Sequence, residues 1–564
     1  MISISRKKWI EKKINKNIIE KIKQDFKFSE IISRLIVSRN FDLNEIYSIK
    51  NTFNITNEFK QDQDFNKASS ILENSINDKD LICIFGDYDV DGIASTSLLA
   101  KFFDYIKHPY FFYIPDREHD GYGPSKSLFK RLILNKPKLV IMVDCGSTSI
   151  EAIDYLNSKN IKSIIIDHHE INRPYPVSNV IINPKKNITY LLKNYFCATT
   201  LTYFFLDILI TKIKSSFNLS NYLIYVLLAT VCDVMPLRKI NRTIALNTIN
   251  NFKIKDNIVF KTLYEEYEKK KTLTVEDLGF FIGPIINSGG RLFNSEIAAN
   301  LLISEDSVVV KDKSKELIKL NIKRKEIENK ILNEINFNKI LKQKKDIIIY
   351  YNPSIHEGLI GVIASRLKDY FNKPSIVITN SKNTLKGSAR STNNYNIGHV
   401  IKELIDKGII KNGGGHNLAA GFTMGRNKIN ILENYILKDY AIKNKNFIIS
   451  NVYDAEISIS AINQKFMNEI NKLGPFGYCN PPPIFLIKDL RIIKVDIIKE
   501  KHISVILKSK VGKSIKSMSF NSFNTPTGKY LVSYKKNINV IGQIQENIWN
   551  NKKTLQLIIK DVLI

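Results

Sequence analysis

The hydrophobic positions change rhythm several times along the chain. From Leu81, short continuous apolar runs (LICIFG, KLVIMV, KSIII and NVIIN) alternate with stretches of helical spacing such as IASTSLLAKFFDYI. Continuous β-branched runs mark strands buried on both faces, so this part predicts a parallel sheet covered by helices. Between about Ser304 and Lys345 the strand signal disappears. Leu320, Ile327, Ile331 and Ile335 recur at helical spacing among Lys and Glu, which predicts one long helix with a solvated face joining two domains. A second, smaller α/β unit follows, with DIIIYY, PSIVIT and LKGSARS as strands and LIGVIASRLKDYF and IGHVIKELIDKGI as helices. From about Val452 the runs EISIS, IFLIKDLRIIKVDII, HISVILKS, SIKSMSF, INVIGQI and TLQLIIKDVLI succeed one another across polar turns. That pattern predicts an all-β barrel or sandwich, and an OB-type barrel is a common small solution. Residues 1–75 read as helical and basic, without a chemical motif. The expected order is therefore an N-terminal helical region (1–75), a parallel-sheet domain (76–303), a connecting helix (304–345), a smaller α/β domain (346–448) and a C-terminal barrel (449–564).

Composition narrows this picture only a little. The chain has 564 residues, room for three or four domains, and its 44% hydrophobic and 25% charged residues exclude a mainly disordered protein. A formal charge of +29 suggests a polyanionic partner, either nucleic acid or an anionic membrane. Only 14 of the 84 basic residues are Arg, however, and the Lys excess runs with Ile and Asn, as an AT-rich coding sequence would produce. Charge alone therefore names no substrate. The five cysteines are an odd number, spread along apolar runs and without a CxxC pair. They read as buried thiols of a cytoplasmic protein rather than a disulfide framework or a thiolate zinc site. The most apolar segment, residues 222–232, is too short to span a bilayer, and no membrane role is expected.

Chemistry concentrates at the predicted strand ends. GDYDVDG (residues 86–92) crowds Asp87, Asp89 and Asp91 between a buried strand and a helix, where open α/β sheets place their ligands. Three anions there need a compensating cation, and hard oxygen donors suit magnesium or manganese. KLVIMV ends in Asp144, and KSIII ends in Asp167-His168-His169. Imidazole beside carboxylate shifts the preference toward manganese. Asp233 follows an apolar helix that Pro236 ends, a place that tolerates an acid poorly unless it is paired or metal-bound. Together these groups can hold two divalent cations and act on a phosphodiester. The preferred arrangement puts Asp89 on one cation and Asp91 on the other, with Asp144 bridging and with His168 and Asp233 completing the second site. Asp87 supplies the first site or orients a water. His169 either contacts the scissile phosphate, serves as an acid, or packs behind the ligands.

In this order GDYDVDG, VDCG, DHH and CDVMPL resemble the motifs of the DHH phosphoesterase superfamily. REHDGYG (117–123), IGPIINSGGRL (282–292), HEGLIGVIASRL (356–367), GSARS (387–391), GGGHNLAAGFT (413–423) and GPFGYCNPPPIF (474–485) resemble, in particular, its single-strand-specific DNA exonucleases. The likeness runs from about residue 80 to 490. It implies a DHH catalytic domain, a DHH-associated domain and an OB domain. It also implies a manganese- or magnesium-dependent 5′→3′ exonuclease that releases 5′-mononucleotides from single-stranded DNA in recombination and repair. A single-strand DNA-binding protein and a helicase are the partners it suggests, and a monomer is the default expectation. One departure falls beside a ligand: Cys145 stands where the family often has Asn.

Several further residues read as substrate contacts. GGGH reads as a flexible turn whose Gly414 and Gly415 backbone N–H groups approach a phosphate, with His416 as a donor. Ser388 and Arg390 lie two apart on a predicted strand, hence on one face, and suit a terminal phosphate. Arg117 and Arg291 sit in loops near the expected cleft. In the barrel, Tyr453, Phe476, Tyr478 and Phe485 are candidate stacking platforms, though such residues are more often core. Two other functions remain at this stage. One is a DHH phosphodiesterase for short oligoribonucleotides or cyclic dinucleotides, which the chain length and late barrel disfavour. The other is a catalytically silent DNA-binding scaffold, which the intact set of acids disfavours.

Overall fold

The computed structural model describes the chain except residues 51–54, 118, 122, 172, 187–194, 270–271, 393, 445–449, 534–536, 550–551 and 564. Glu118 and Tyr122 of the REHDGYG motif therefore lie outside the described residues, as does the expected boundary at 448–449. Two compact units form, and they interleave in sequence. One comprises residues 56–235 and 248–447, the other residues 1–55, 236–247 and 448–564.

The first unit contains two sheets. The first has five parallel strands in the order Tyr110–Tyr113, Ile82–Gly86, Leu139–Val143, Lys162–Ile166, Val180–Ile182. Ile82–Gly86 and Leu139–Val143 are buried at every position, as their continuous apolar sequences require. The chain leaves Ile82–Gly86 toward one neighbour and later returns on its other side, so the sheet's switch point opens between these two strands. The second sheet has the order Ile410–His416, Ala419–Met424, Thr384–Arg390, Ser375–Ser381, Ile348–Tyr351. GGGH is thus no turn. It ends an edge strand paired with Ala419–Met424, and the turn itself is the following Asn417-Leu418.

The connecting helix is Ser307–Glu334, N-capped by Asp306, whose carboxylate accepts from the N–H groups of Val308 and Val309. Its buried stripe is not the expected apolar one. Val310, Ser314, Leu317, Asn321, Arg324, Glu328 and Ile331 are buried, while Leu320 and Ile327 are half-buried. The polar members satisfy one another. Arg324 donates to Asn321 (3.2 Å) and to Glu328 (2.8 Å), and Arg366 donates to the second Glu328 oxygen (2.6 Å). A buried charge is tolerable only when paired in this way.

The second unit is built on a closed five-stranded barrel in the order Phe485–Ile498, His502–Ser509, Ser514–Ser519, Lys552–Leu563, Ile538–Trp549. Ile538–Trp549 pairs back onto Phe485–Ile498. Of the EISIS run only Glu456 lies in a strand, Ala455–Glu456, because Ile459–Ala461 turns as a short 3-10 helix. Tyr453 and Phe485 are buried and Phe476 packs on the barrel core, which leaves Tyr478, 47% exposed, as the accessible member of the four aromatic candidates. The N-terminal residues are not purely helical. Lys8–Glu11 pairs in parallel with Ser450–Tyr453, and buried Trp9 donates its indole N–H to Asp561 (3.0 Å). Leu35 and Ile36 of helix Glu30–Ser38 join the barrel's hydrophobic core.

Candidate metal centre

The loops beyond strands Ile82–Gly86, Leu139–Val143 and Lys162–Ile166, with the end of helix Leu223–Cys232, bring all seven predicted acids and histidines together. GDYDVDG folds back on itself because its glycines permit it. A Cβ on Gly86 would stand 2.1 Å from Thr96 Oγ1, and one on Gly92 would stand 2.4 Å from the Asp87 carbonyl oxygen. Asp89 caps helix Val90–Tyr105 by accepting from Asp91 N–H (3.0 Å). Asp91 turns inward and caps a second helix, Ala198–Lys212. It accepts from the N–H groups of Ala198 (2.7 Å) and Thr199 (2.8 Å) and from the Thr199 hydroxyl (2.6 Å). Asp144 continues the strand ladder by one bond, its N–H to Ile166 O (2.9 Å). It then adopts φ 61°, in the left-handed region that Asp and Asn tolerate.

The donors converge in three overlapping groups: Asp87, Asp89 and Asp144; Asp91, His168 and Asp233; and Asp144, His168 and His169. His168 Nε2 lies 3.2 Å from Asp144 Oδ1, 3.4 Å from Asp233 Oδ2 and 3.6 Å from Asp91 Oδ2. Asp87 Oδ1, Asp144 Oδ1, His168 Nε2 and Asp233 Oδ2 are all buried without a hydrogen-bond partner among the described residues. Leaving four such atoms unsatisfied is costly. Burial, then the neighbouring Asp91 and Asp89 charges, pushes the Asp144 and Asp233 carboxyls well above the usual range. Burial and Asp89 push Asp87 up to about 8. Burial and the charge of His169 hold the His168 imidazole well below its ordinary value. A neutral imidazole among carboxylates suits manganese or magnesium, and two cations, one among Asp87, Asp89 and Asp144 and one among Asp91, Asp144, His168 and Asp233, would satisfy the orphaned atoms.

Asp167 has a different task, one the sequence reading passed over. It accepts from the His168 N–H (2.8 Å), the His169 N–H (3.1 Å) and His169 Nδ1–H (2.8 Å), and its other oxygen accepts from Ser147 N–H (3.1 Å). Burial opposes both charges of the pair. Even so, His169 and the surrounding donors hold Asp167 well below the carboxylate range, and Asp167 lifts His169 to about 10. The two histidines therefore differ, with His168 neutral and His169 an imidazolium. The signal was available in the motif itself, an acid at a strand end directly before two histidines.

Beside this acidic cluster lies a cluster of arginines. Arg117 stacks on the Tyr88 ring, 4.2 Å from its centroid, and its Nε is buried without a hydrogen-bond partner among the described residues. Arg291, at the end of helix Gly283–Leu292, donates to Gly358 O (3.2 Å). Arg390 donates to Ser388 Oγ (3.2 Å) from the same face of their strand. Burial, then repulsion from Arg117, lowers Arg291 to about 10 and draws Arg390 below its ordinary value. Packing guanidinium groups this closely calls for an anion. Gly361 leaves the room: a Cβ there would stand 3.1 Å from Arg390 Nη2 and 3.2 Å from Ser388 Oγ. Gly414 borders open space on its edge strand, and His416 interacts electrostatically with His169, Lys185 and Arg390.

A parallel sheet whose strand ends carry this carboxylate–histidine cluster defines the DHH class. The DHH family N-terminal domain matches residues 81–230, the DHHA1 domain residues 344–436 and the RecJ OB domain residues 453–561. The single-stranded-DNA-specific exonuclease RecJ of Bacillus subtilis is 26% identical, over 99% of this chain and 71% of that protein. The Escherichia coli exonuclease of the same name is also 26% identical, over 88% and 89%. The crystal structure of Thermus thermophilus RecJ in complex with Mn2+ superposes with a TM-score of 0.82 at 20% identity, covering 98% of this chain and 79% of that one. A Mg2+ complex of the same protein gives 0.76. The chain thus carries DHH, DHHA1 and RecJ OB domains in that order and is similar to RecJ exonucleases over most of its length.

Proposed function

We propose that this protein is a single-stranded-DNA-specific exonuclease, dependent on manganese or magnesium, that hydrolyses DNA from the 5′ end to 5′-mononucleotides. The observation that carries the reading is the set of four buried, unpartnered donor atoms beside a pocket of crowded arginines. Asp87, Asp89 and Asp144 would hold one cation, and Asp91, Asp144, His168 and Asp233 the other. Cations so held would activate water and neutralise charge at a phosphodiester. The protein's own groups do the rest. The His169 imidazolium donates to a phosphate oxygen, held in place by Asp167. Arg117, Arg291, Ser388 and Arg390 bind the terminal phosphate and so set how far the strand advances. The edge strand at Gly414 and Gly415, where one of the two N–H groups points away from the ladder, binds with His416 the backbone that follows. In this reading residues 76–303 are the catalytic domain, 346–448 bind substrate and the barrel engages single strands. A cytoplasmic monomer working with a single-strand DNA-binding protein and a helicase belongs to the same proposal.

The test is digestion of single-stranded DNA labelled at either end, with Mn2+, Mg2+ or chelator. The expected result is immediate release of 5′-labelled mononucleotide, abolished by chelation. Dinucleotides cleaved in preference to long DNA would favour the short-substrate phosphodiesterase instead. Binding without cleavage under any cation would favour the silent scaffold.

A further inference from the structure

The parallel ladder ends with the bonds Asp144 N–H to Ile166 O and Asp167 N–H to Ile182 O, yet the site needs the loops after Leu139–Val143 and Lys162–Ile166 in fixed register. Asn183, the residue after strand Val180–Ile182 and 4% exposed, supplies the missing connection. Its Nδ2 donates to Ser147 Oγ (2.8 Å) and to the His169 carbonyl (3.0 Å), and its Oδ1 accepts from Lys185 N–H (2.9 Å). The amide orientation follows from these partners, because a backbone N–H can only donate and a backbone carbonyl can only accept. Ser147 N–H in turn bonds Asp167, and Asp167 bonds the His169 ring. The four residues close a circuit, Asn183–Ser147–Asp167–His169, that joins the loops after three neighbouring strands. Ser147 and Asp167 are also buried, so each bond lost leaves an unsatisfied group inside the protein.

We infer that Asn183 is a positioning residue. By fixing the His169 backbone and, through Ser147, the Asp167 carboxylate, it sets where His168 and His169 stand against Asp144. It contributes none of the candidate cation donors and acts through the residues it holds. Among side chains of this size only a carboxamide offers two donors and an acceptor from one planar group, which is what the three loops require. The inference rests on the metal-dependent reading above.

The experiment compares wild type with Asn183→Ala and Asn183→Asp. It measures Mn2+ affinity by electron paramagnetic resonance of free Mn2+, thermal stability, and kcat and KM on single-stranded DNA. Asn183→Asp keeps the shape and the bond from Lys185 but turns an acceptor onto the His169 carbonyl. Both variants are expected to lose about 10–100-fold in Mn2+ affinity or kcat, as residues supporting metal ligands typically do, while KM stays within about twofold. Wild-type Mn2+ affinity together with wild-type kcat in both variants overturns the inference. If neither variant folds, Ser147→Ala cuts the same circuit at one bond, and wild-type behaviour there overturns it equally. Failure of wild type itself to bind Mn2+ or degrade DNA would instead overturn the proposed function, so the two failures are distinguishable.

Discussion

Asp144→Asn separates the bridging role from the structural one. Alanine would confound the test, because at φ 61° a residue with a Cβ meets a cost of about 1–2 kcal/mol that Asp and Asn largely escape. Asparagine keeps the backbone, the volume and the bond from Asp144 N–H to Ile166 O. What it removes is an anionic donor shared by two of the three ligand groups, with Oδ1 3.2 Å from His168 Nε2 and 3.7 Å from His169 Nδ1. Loss of a ligand common to two cations should cost several kcal/mol of transition-state stabilisation, and about 4 kcal/mol corresponds to roughly a thousandfold in rate. Stability should move the other way. The Asp144 carboxyl is raised in the folded protein by burial and by the Asp91, Asp89, Asp87 and Asp233 charges. A raised carboxyl contributes stability that is present at low pH and is lost as pH rises through its folded value. Metal-free protein at pH 8 therefore carries a penalty that the uncharged amide avoids, on the order of 1 kcal/mol. The metal-free variant should melt above metal-free wild type at pH 8, gain little from Mn2+, and bind single-stranded DNA normally. Thermal melts with and without Mn2+, filter binding and nucleotide release measure the three quantities. Residual activity within about tenfold of wild type, or an undiminished Mn2+ stabilisation, would refute a bridging Asp144.

Other expectations follow from the same geometry. Because Asp87 is raised to about 8, and burial and neighbouring carboxylates push Asp144 and Asp233 upward as well, Mn2+ binding should displace protons. The Mn2+-induced rise in Tm should therefore grow between about pH 6 and 9, and a flat profile would show that the carboxylates are already ionised. Arg390→Ala should lower kcat/KM on 5′-phosphorylated DNA about tenfold while changing 5′-hydroxyl DNA far less, since it removes one charge-assisted phosphate contact. Equal losses on both ends would exclude the end-phosphate role. Gly358→Ala would place a Cβ 2.0 Å from the Arg291 carbonyl oxygen, so backbone must shift. Urea unfolding should show a loss of about 1–3 kcal/mol, and activity should fall because Arg291 moves with it. A silent substitution would mean that this contact is easily relaxed.

Much of the site was legible because its motifs are local. Six of the seven follow a short continuous apolar run that forms a buried parallel strand, and Asp233 follows an apolar helix ended by Pro236. Asp87, Asp89, Asp91, Asp144, His168, His169 and Asp233 could be gathered on that ground without coordinates. The pairing of Ser388 with Arg390 was equally readable from the alternation of a strand. Asn183 was not, because its value lies in partners 14 and 36 residues away, on neighbouring strand ends. GGGH looked like a turn because three glycines carry no strand propensity. Pairing with Ala419–Met424 overrides that local preference.

By itself, then, the sequence determined which segments are buried strands, where the carboxylates cluster and that they crowd at strand ends, since these depend on near neighbours and on period. The tertiary structure decided what each group experiences. The two adjacent histidines are pushed in opposite directions because only the His169 ring bonds the Asp167 carboxylate, while His168 meets it through its backbone N–H. The connecting helix buries Asn321, Arg324 and Glu328 because these groups satisfy one another and Arg366 completes Glu328. The N-terminal segment contains a strand because Ser450–Tyr453, more than four hundred residues later, offers it a ladder. The strand depends on a partner far away in sequence, whereas the Asp167–His169 and Arg324 contacts join near neighbours and take their weight from burial in the folded protein, which no local pattern encodes.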